Sequence, residues 1–135
     1  MNSWSVDHVA IVVTDLDKSV DFYTKTLGFD QAFRESFPER GVEVVGLRAG
    51  NVDIELLRPL SSDSSVARYR GGADTKVHHI GYRVPDVPAE IARLKSAGLE
   101  MIDEAPCRGA HGNRVAFVHP KSTEGVLIEV CQRTD

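Results

Sequence analysis

The sequence predicts an α+β fold built from two consecutive βαβββ modules. Three observations predict it. Each half begins with a strand that starts at a histidine and is followed by a helix, the same spacing from His to Asp occurs in both halves, and each half ends with a strand that contains an Ile-Glu pair. The spacing from His to Asp is seven residues in both halves, from His8 to Asp15 and from His79 to Asp86. Because a repeat decides the architecture of a chain, it takes precedence over any single motif.

The first module covers residues 1 to about 68 and begins with a strand over residues 8–13. A helix follows, and Gly28 ends it because glycine tolerates the left-handed conformation of a helix C-terminus. Runs of branched apolar residues predict further strands over residues 41–48 and 52–57. The apolar residues at helical spacing in the helix are Val20, Phe22, Tyr23 and Leu27.

The second module covers about residues 76–135 and repeats this order. Its first strand starts at His79, and its helix is predicted from the spacing of Ile91 and Leu94 with a stop at Gly98. Two later strands are predicted over residues 115–119 and 126–131. Between the modules, residues 61–76 are rich in Ser and Gly and predict a linker with one short helix over residues 66–69.

Composition excludes several classes of protein. The chain has 135 residues and a net charge of -4, with 16 Lys and Arg against 20 Asp and Glu, so it lacks the basic surface that nucleic acids require. No apolar run approaches the length of a membrane span, and no secretory signal is recognisable. Cys107 and Cys131 are therefore expected to be reduced, in a cytoplasmic protein.

Four side chains at equivalent positions of the two modules are the candidate metal ligands. His8 and His79 begin the first strand of each module, whereas Glu55 and Glu129 lie in the last strand of each. Because neighbouring residues of a strand point to opposite faces, each Glu faces away from the branched apolar residues beside it. A carboxylate in a half-buried strand is costly unless it is paired or binds a cation. This donor set predicts a divalent Co, Ni, Zn, Mn or Fe ion with positions open for water or substrate.

Seven segments spread over nearly the whole chain form a second kind of pattern. They are residues 7–10, 38–42, 54–60, 78–80, 109–112, 117–122 and 125–129. Together they resemble the vicinal oxygen chelate superfamily, and within it most closely the methylmalonyl-CoA epimerase family. The resemblance implies paired modules that form one cupped mixed β-sheet around a divalent metal, with helices outside, in a single domain over residues 1–135.

The resemblance also implies an enzyme that interconverts the C2 epimers of methylmalonyl-CoA or a related acyl-CoA. Abstraction of the C2 proton would give an enolate whose charge the metal stabilises. Epimerisation needs a proton carrier on each face of C2, and Glu129 is the candidate for one face. Glu39 and Glu43 are both candidates for the other, and both could instead be solvated surface acids.

The register of the first module bears on this choice. If the chain reverses in a two-residue turn at Gly50 and Asn51, Gly46 lies opposite Glu55, and Glu43 then points away from the metal. A change of register by one residue would reverse the direction of Glu43. The hypothesis favours Glu39.

The remaining histidines have structural interpretations. His78 precedes His79 and therefore faces the opposite side of the sheet, where it is expected to pack or to form hydrogen bonds. His111 lies in a loop flanked by glycines, and His119 precedes Pro120. Both are expected to shape loops, and backbone N–H groups of the His111 loop could also contact a substrate.

Two other functions fit part of the same pattern. A glyoxalase I would use four ligands of these types, and a drug-binding resistance protein would use the cup without a metal. An extradiol dioxygenase would use His8, His79 and Glu129, but Glu55 would then fill a position that its substrates need. We expect a homodimer that binds a small acyl-CoA and neither nucleic acid nor membrane.

Overall fold

Two units make up the computed structural model, which describes residues 3–134. One unit is His8–His78, and the other joins the residues up to Asp7 with those from His79 onward. Each contains the predicted βαβββ order. The strands are β1 (Ser5–Val13), β2 (Asp30–Phe37), β3 (Val42–Ala49), β4 (Val52–Pro59), β5 (Thr75–Arg83), β6 (Cys107–Arg108), β7 (Arg114–Val118) and β8 (Ile128–Gln132). The α-helices are α1 (Leu16–Asp21), α2 (Ser65–Arg70) and α3 (Val87–Ser96).

In the first unit, the strand order is β2-β3-β4-β1. β1 and β4 are parallel, and the other pairs are antiparallel, so the sheet is mixed as predicted. One face packs against α1 through a buried core of Val13, Leu16, Val45, Leu47 and Leu56. Because side chains alternate along a strand, the residues between these core positions lie on the other face, and Glu55 is one of them.

Helix α1 begins at a cap, where the Asp15 side chain accepts a hydrogen bond from the Lys18 backbone N–H. It continues as a π-helical turn in which the Leu27 N–H donates to the Phe22 carbonyl, and Gly28 then adopts a φ of 81°. The wider turn rotates the later side chains away from the positions that regular helical spacing predicts. Phe22 and Leu27 are consequently about half exposed, at 50% and 47%, although both belong to the apolar spacing that predicts the helix.

In the second unit, β5 pairs in parallel with β8, and the antiparallel pairs β8–β7 and β7–β6 complete the sheet. The Asp86 side chain caps α3 by accepting from the Ala89 N–H. The helix buries Val87, Ile91 and Leu94 against the sheet, as the spacing predicts. It is followed by Gly98 in the expected left-handed conformation, with a φ of 91°.

The strand β6 is much shorter than its counterpart β2, and an irregular segment over residues 101–103 supplies part of the pairing with β7. Met101 forms an isolated bridge with Val118. The Phe117 N–H donates to the Asp103 carboxylate at 2.8 Å, and the Phe117 carbonyl accepts from the Ile102 N–H at 2.9 Å. The 101–103 segment therefore anchors β7 without forming a regular strand.

The predicted linker contains the predicted short helix, because α2 covers Ser65–Arg70. The Ser64 side chain caps it by accepting from the Ala67 N–H. Cys107 and Cys131 are not joined in a disulfide bond. Among residues 3–134, no helix combines the length and the apolar character that crossing a lipid bilayer requires.

Candidate metal and catalytic site

His8 and Glu55 lie side by side in the first unit. Glu55 is opposite Ala10 in the parallel pairing of β1 and β4, so the carboxylate lies next to a small side chain, two residues beyond His8. His8 Nδ1 is 3.8 Å from Glu55 Oε2, and both side chains are nearly buried. Alternation along β1 puts His8 and Ala10 on the same face, opposite the α1 core.

His79 and Glu129 repeat this arrangement in the second unit. Glu129 is opposite Gly81, which again lies two residues beyond the histidine. His79 Nε2 is 3.9 Å from Glu129 Oε1, and the two side chains are 6% and 7% exposed. Each unit therefore combines a buried imidazole, a buried carboxylate and a small residue that leaves room for the carboxylate.

These pairs fit a first-row divalent metal by two tests. Two ligands on opposite sides of such an ion, each about 2.1 Å from it, lie about 4.2 Å apart. The separations of 3.8 Å and 3.9 Å fall within that limit, and both exceed a direct hydrogen bond. The imidazole and carboxylate donors also match the preferences of Zn, Co, Ni, Mn and Fe.

Glu43 lies on the other face of the first sheet. It is opposite Arg58 and two residues before Val45 of the α1 core, so alternation puts it on the side that faces α1. Gly46 is opposite Glu55, the register expected for a two-residue turn at residues 50–51. Glu43 accepts from Arg34 Nε at 2.8 Å and from Arg58 Nη2 at 2.7 Å. These hydrogen bonds, that of Arg34 first, lower the pKa of Glu43 from its ordinary value of 4.5. A carboxylate held ionised on the helix-facing side is poorly placed to exchange a proton near Glu55.

Glu39 is exposed on the 3-10 turn Pro38–Arg40 between β2 and β3. The turn ends at Gly41, which adopts a φ of 66°. The Gly41 carbonyl accepts from the Leu60 N–H at 2.8 Å, so the turn is tied to the end of β4. Glu39 therefore belongs to an anchored turn, and among residues 3–134 no arginine pairs with it in the way that Arg34 and Arg58 pair with Glu43.

The other histidines have the structural roles expected of them. His78 packs against the Tyr69 ring, with centroids 4.9 Å apart, and burial lowers its pKa to about 4. His119 Nδ1 accepts from the Lys121 N–H and so caps a turn. His111 occupies the left-handed region with a φ of 62°, in the loop between β6 and β7.

Two aromatic residues beside the pairs were not found by sequence reasoning. Phe117 is opposite Glu129 in the pairing of β7 and β8. Phe33 is opposite Gly46 in the pairing of β2 and β3. Phe117 lies in the strand predicted over residues 115–119, but the register that places it opposite Glu129 is a tertiary property.

A cavity of about 580 Å³ lies in the first unit, on the side of α1. Its lining includes Ile11 and Val13 of β1 and Phe22 and Tyr23 of the helix. Alternation along β1 puts Ile11 and Val13 on the face opposite His8. The cavity is therefore separated from the His8 and Glu55 pair by the sheet itself.

Residues 7–117 match the Glyoxalase/Bleomycin resistance protein/Dioxygenase superfamily. Human mitochondrial methylmalonyl-CoA epimerase is 39% identical over 97% of this chain and 75% of its own length. The ethylmalonyl-CoA/methylmalonyl-CoA epimerase of Cereibacter sphaeroides is 39% identical over 94% of this chain and 96% of its own. The crystal structure of methylmalonyl-CoA epimerase from Mycobacterium tuberculosis is 31% identical and has a TM-score of 0.91, over 96% of this chain and 88% of that one.

The chain therefore belongs to the Glyoxalase/Bleomycin resistance protein/Dioxygenase superfamily, which is the family predicted from the sequence. Its similarity to epimerases over almost its full length identifies it as an enzyme of the epimerase type. The predicted α+β fold of paired βαβββ modules is confirmed by the same structural likeness.

Proposed function

We propose that this protein interconverts the C2 epimers of methylmalonyl-CoA or of a related acyl-CoA. The observation that carries the proposal is the similarity, over nearly the whole of this chain, to enzymes named for that reaction, at 39% identity in two of them. One of these relatives is named for both ethylmalonyl-CoA and methylmalonyl-CoA, so the substituent at C2 is part of what has to be tested.

The proposed metal site consists of His8, Glu55, His79 and Glu129, acting together on one divalent ion. The support is the equivalence of the two pairs: each has a buried imidazole within 4 Å of a buried carboxylate, and each carboxylate faces a small residue. When bound, such an ion would stabilise the negative charge that develops on the thioester and carboxylate oxygens of the substrate. Its identity among Co, Ni, Zn, Mn and Fe is set by supply as well as by the ligands.

Two residues are proposed to move the proton at C2. Glu129, which is buried beside His79, takes or returns the proton on one face. Glu39 serves the other face, because Glu43 is hydrogen-bonded to two arginines on the helix-facing side of its sheet. A positioned general base of this kind contributes about 10²- to 10⁴-fold to the rate.

The decisive experiment is proton exchange at C2. Purified protein is incubated with single epimers of methylmalonyl-CoA and of ethylmalonyl-CoA in D₂O, before and after chelation, and the products are examined by NMR. We expect deuterium at C2 of the opposite epimer, and loss of this exchange after chelation with recovery on adding Co²⁺. If there is no exchange with either acyl-CoA, but methylglyoxal and glutathione are turned over, the enzyme is a glyoxalase instead.

Two further properties are part of the proposal. A cytoplasmic location and a homodimer are expected, as in the sequence prediction, and sedimentation at micromolar concentration tests the second. A drug-binding protein without enzymatic activity is the least supported alternative, because relatives that match nearly the whole of this chain are named as enzymes.

A further inference from the structure

We propose that Phe117 is a positioning residue for the His79 imidazole, a role that rests on the metal site proposed above. The two rings are in contact, with centroids 5.0 Å apart and planes at 88°. This edge-to-face geometry is a favoured arrangement of aromatic rings. The same imidazole presents Nε2 towards Glu129, at 3.9 Å from Oε1.

The position of Phe117 is determined by backbone contacts on both sides. Phe117 is opposite Glu129 in the antiparallel pairing of β7 and β8, so the ring and the carboxylate project from the same face. On the other side, its N–H donates to the Asp103 carboxylate and its carbonyl accepts from the Ile102 N–H. The ring therefore projects from an anchored point of the strand.

A fixed ring at this point has a consequence for metal binding. The second side-chain torsion of histidine has broad minima, so an imidazole without contacts can turn its nitrogens away from a ligand direction. The perpendicular contact with Phe117 restricts that rotation. Holding the ligand in its binding orientation before the metal arrives lowers the entropy lost on binding.

The first unit provides an independent argument. There the residue opposite the glutamate is Gly46, not an aromatic residue. A Cβ atom at Gly46 would lie 2.0 Å from Cε1 of Phe33, so the ring of Phe33, from the next strand, covers this position. Each unit thus has a phenylalanine ring beside its glutamate, supplied by different strands. The presence of a ring beside the glutamate in both units favours a role in the site over a chance packing contact in one unit.

The test compares three variants of the full chain for Co²⁺ binding, measured by competition with a chelating dye and by the cobalt absorption spectrum. Phe117→Leu keeps an apolar side chain but removes the flat ring, and Phe117→Tyr keeps the ring. The matched control is Tyr82→Leu, which removes an aromatic contact with Trp4 from the other face of β5. Thermal unfolding of each variant is measured in parallel.

We expect Phe117→Leu to weaken Co²⁺ binding about 2- to 10-fold and to change the cobalt spectrum, as loss of one aromatic pair contact predicts. Phe117→Tyr should keep the wild-type Co²⁺ affinity and cobalt spectrum. Tyr82→Leu should lower the unfolding temperature without changing the affinity or the spectrum. Equal affinity of the wild type and Phe117→Leu would overturn the positioning role while leaving the metal site intact. Equal weakening by Tyr82→Leu would also overturn it, because general loss of stability would then be the cause. No Co²⁺ binding by the wild type would instead overturn the metal site and the role built on it.

Discussion

Two neighbouring histidines show how much a single residue's position along a strand decides. His78 packs on Tyr69 and is kept neutral by burial, which lowers its pKa to about 4. His79 lies beside Glu129 and contacts Phe117. The two residues are of the same type, and the alternation of side chains along the strand gives them different environments.

The first prediction follows from this difference. We expect His79→Ala to abolish retention of a divalent metal and epimerisation, since it removes one of the proposed donors. His78→Ala should keep the metal and mainly lower stability, through the lost packing on Tyr69. The metal content of each folded variant, measured by elemental mass spectrometry, distinguishes the two variants. Equal metal loss from both variants would show that the assignment of faces is wrong.

The second prediction concerns the two acids of the 38–43 segment. Glu39→Gln should lower turnover by about 10²- to 10⁴-fold while metal binding is unchanged, as expected for a lost general base. Glu43→Gln is the matched control, because its carboxylate is occupied by Arg34 and Arg58. It should turn over at close to the wild-type rate, measured by deuterium exchange at C2. A rate defect confined to Glu43→Gln would reverse the assignment.

At the scale of elements, β2 and β3 are coupled through Phe33 and Gly46. The ring occupies the space in which a side chain at position 46 would lie, with ring atoms 2.0 Å to 2.6 Å from a Cβ built there. This explains why a glycine interrupts the branched residues of β3. The glycine is required by close approach of a neighbouring side chain.

The third prediction tests this coupling. Gly46→Ala should lower the free energy of unfolding by about 1 to 3 kcal/mol, the range for overpacking a core, because the ring of Phe33 must move. Gly72→Ala is the control, since a Cβ at Gly72 meets nothing within 4 Å. Urea unfolding of the two variants provides the comparison. Equal stability of Gly46→Ala and the wild type would show that Phe33 moves freely.

At the scale of the whole molecule, the two ends of the chain meet in one unit. Arg133 Nε donates to Asp7 Oδ1 at 2.7 Å across 126 positions of sequence, and Arg83 Nη2 donates to the same oxygen at 3.2 Å. The Asp7 side chain is 1% exposed. Trp4 lies nearby in the same unit, tilted against Tyr82. The residues before His8 thus complete the second unit and not the first.

The fourth prediction follows from this burial. Asp7→Asn should lower the free energy of unfolding by about 3 kcal/mol, because it leaves the largely buried Arg133 without its counter-charge. Glu104→Gln is the control, since its ion pair with Lys95 is exposed and should contribute little. Urea unfolding again provides the measurement. A loss no larger than that of the control would show that solvent compensates both arginines.

The sequence by itself determined the paired βαβββ order, the capped helix ends, the four metal-ligand candidates and the family. These depend on local periodicity and on a repeat, both of which are present in the order of residues. The sequence did not reveal the π-helical turn that leaves Phe22 and Leu27 about half exposed, because such a turn is not visible in apolar spacing. The roles of the four ligands and the single-domain organisation over residues 1–135 stay predictions.

Only the tertiary structure decided which face each acid occupies and what lies beside it. Register between strands separates Glu43 from Glu55, although both lie in adjacent strands of one unit. The contact between Phe117 and His79 and the pairing of Asp7 with Arg133 join residues distant in sequence. Such contacts arise from pairing and packing energies that depend on the whole chain, and local patterns contain no record of them.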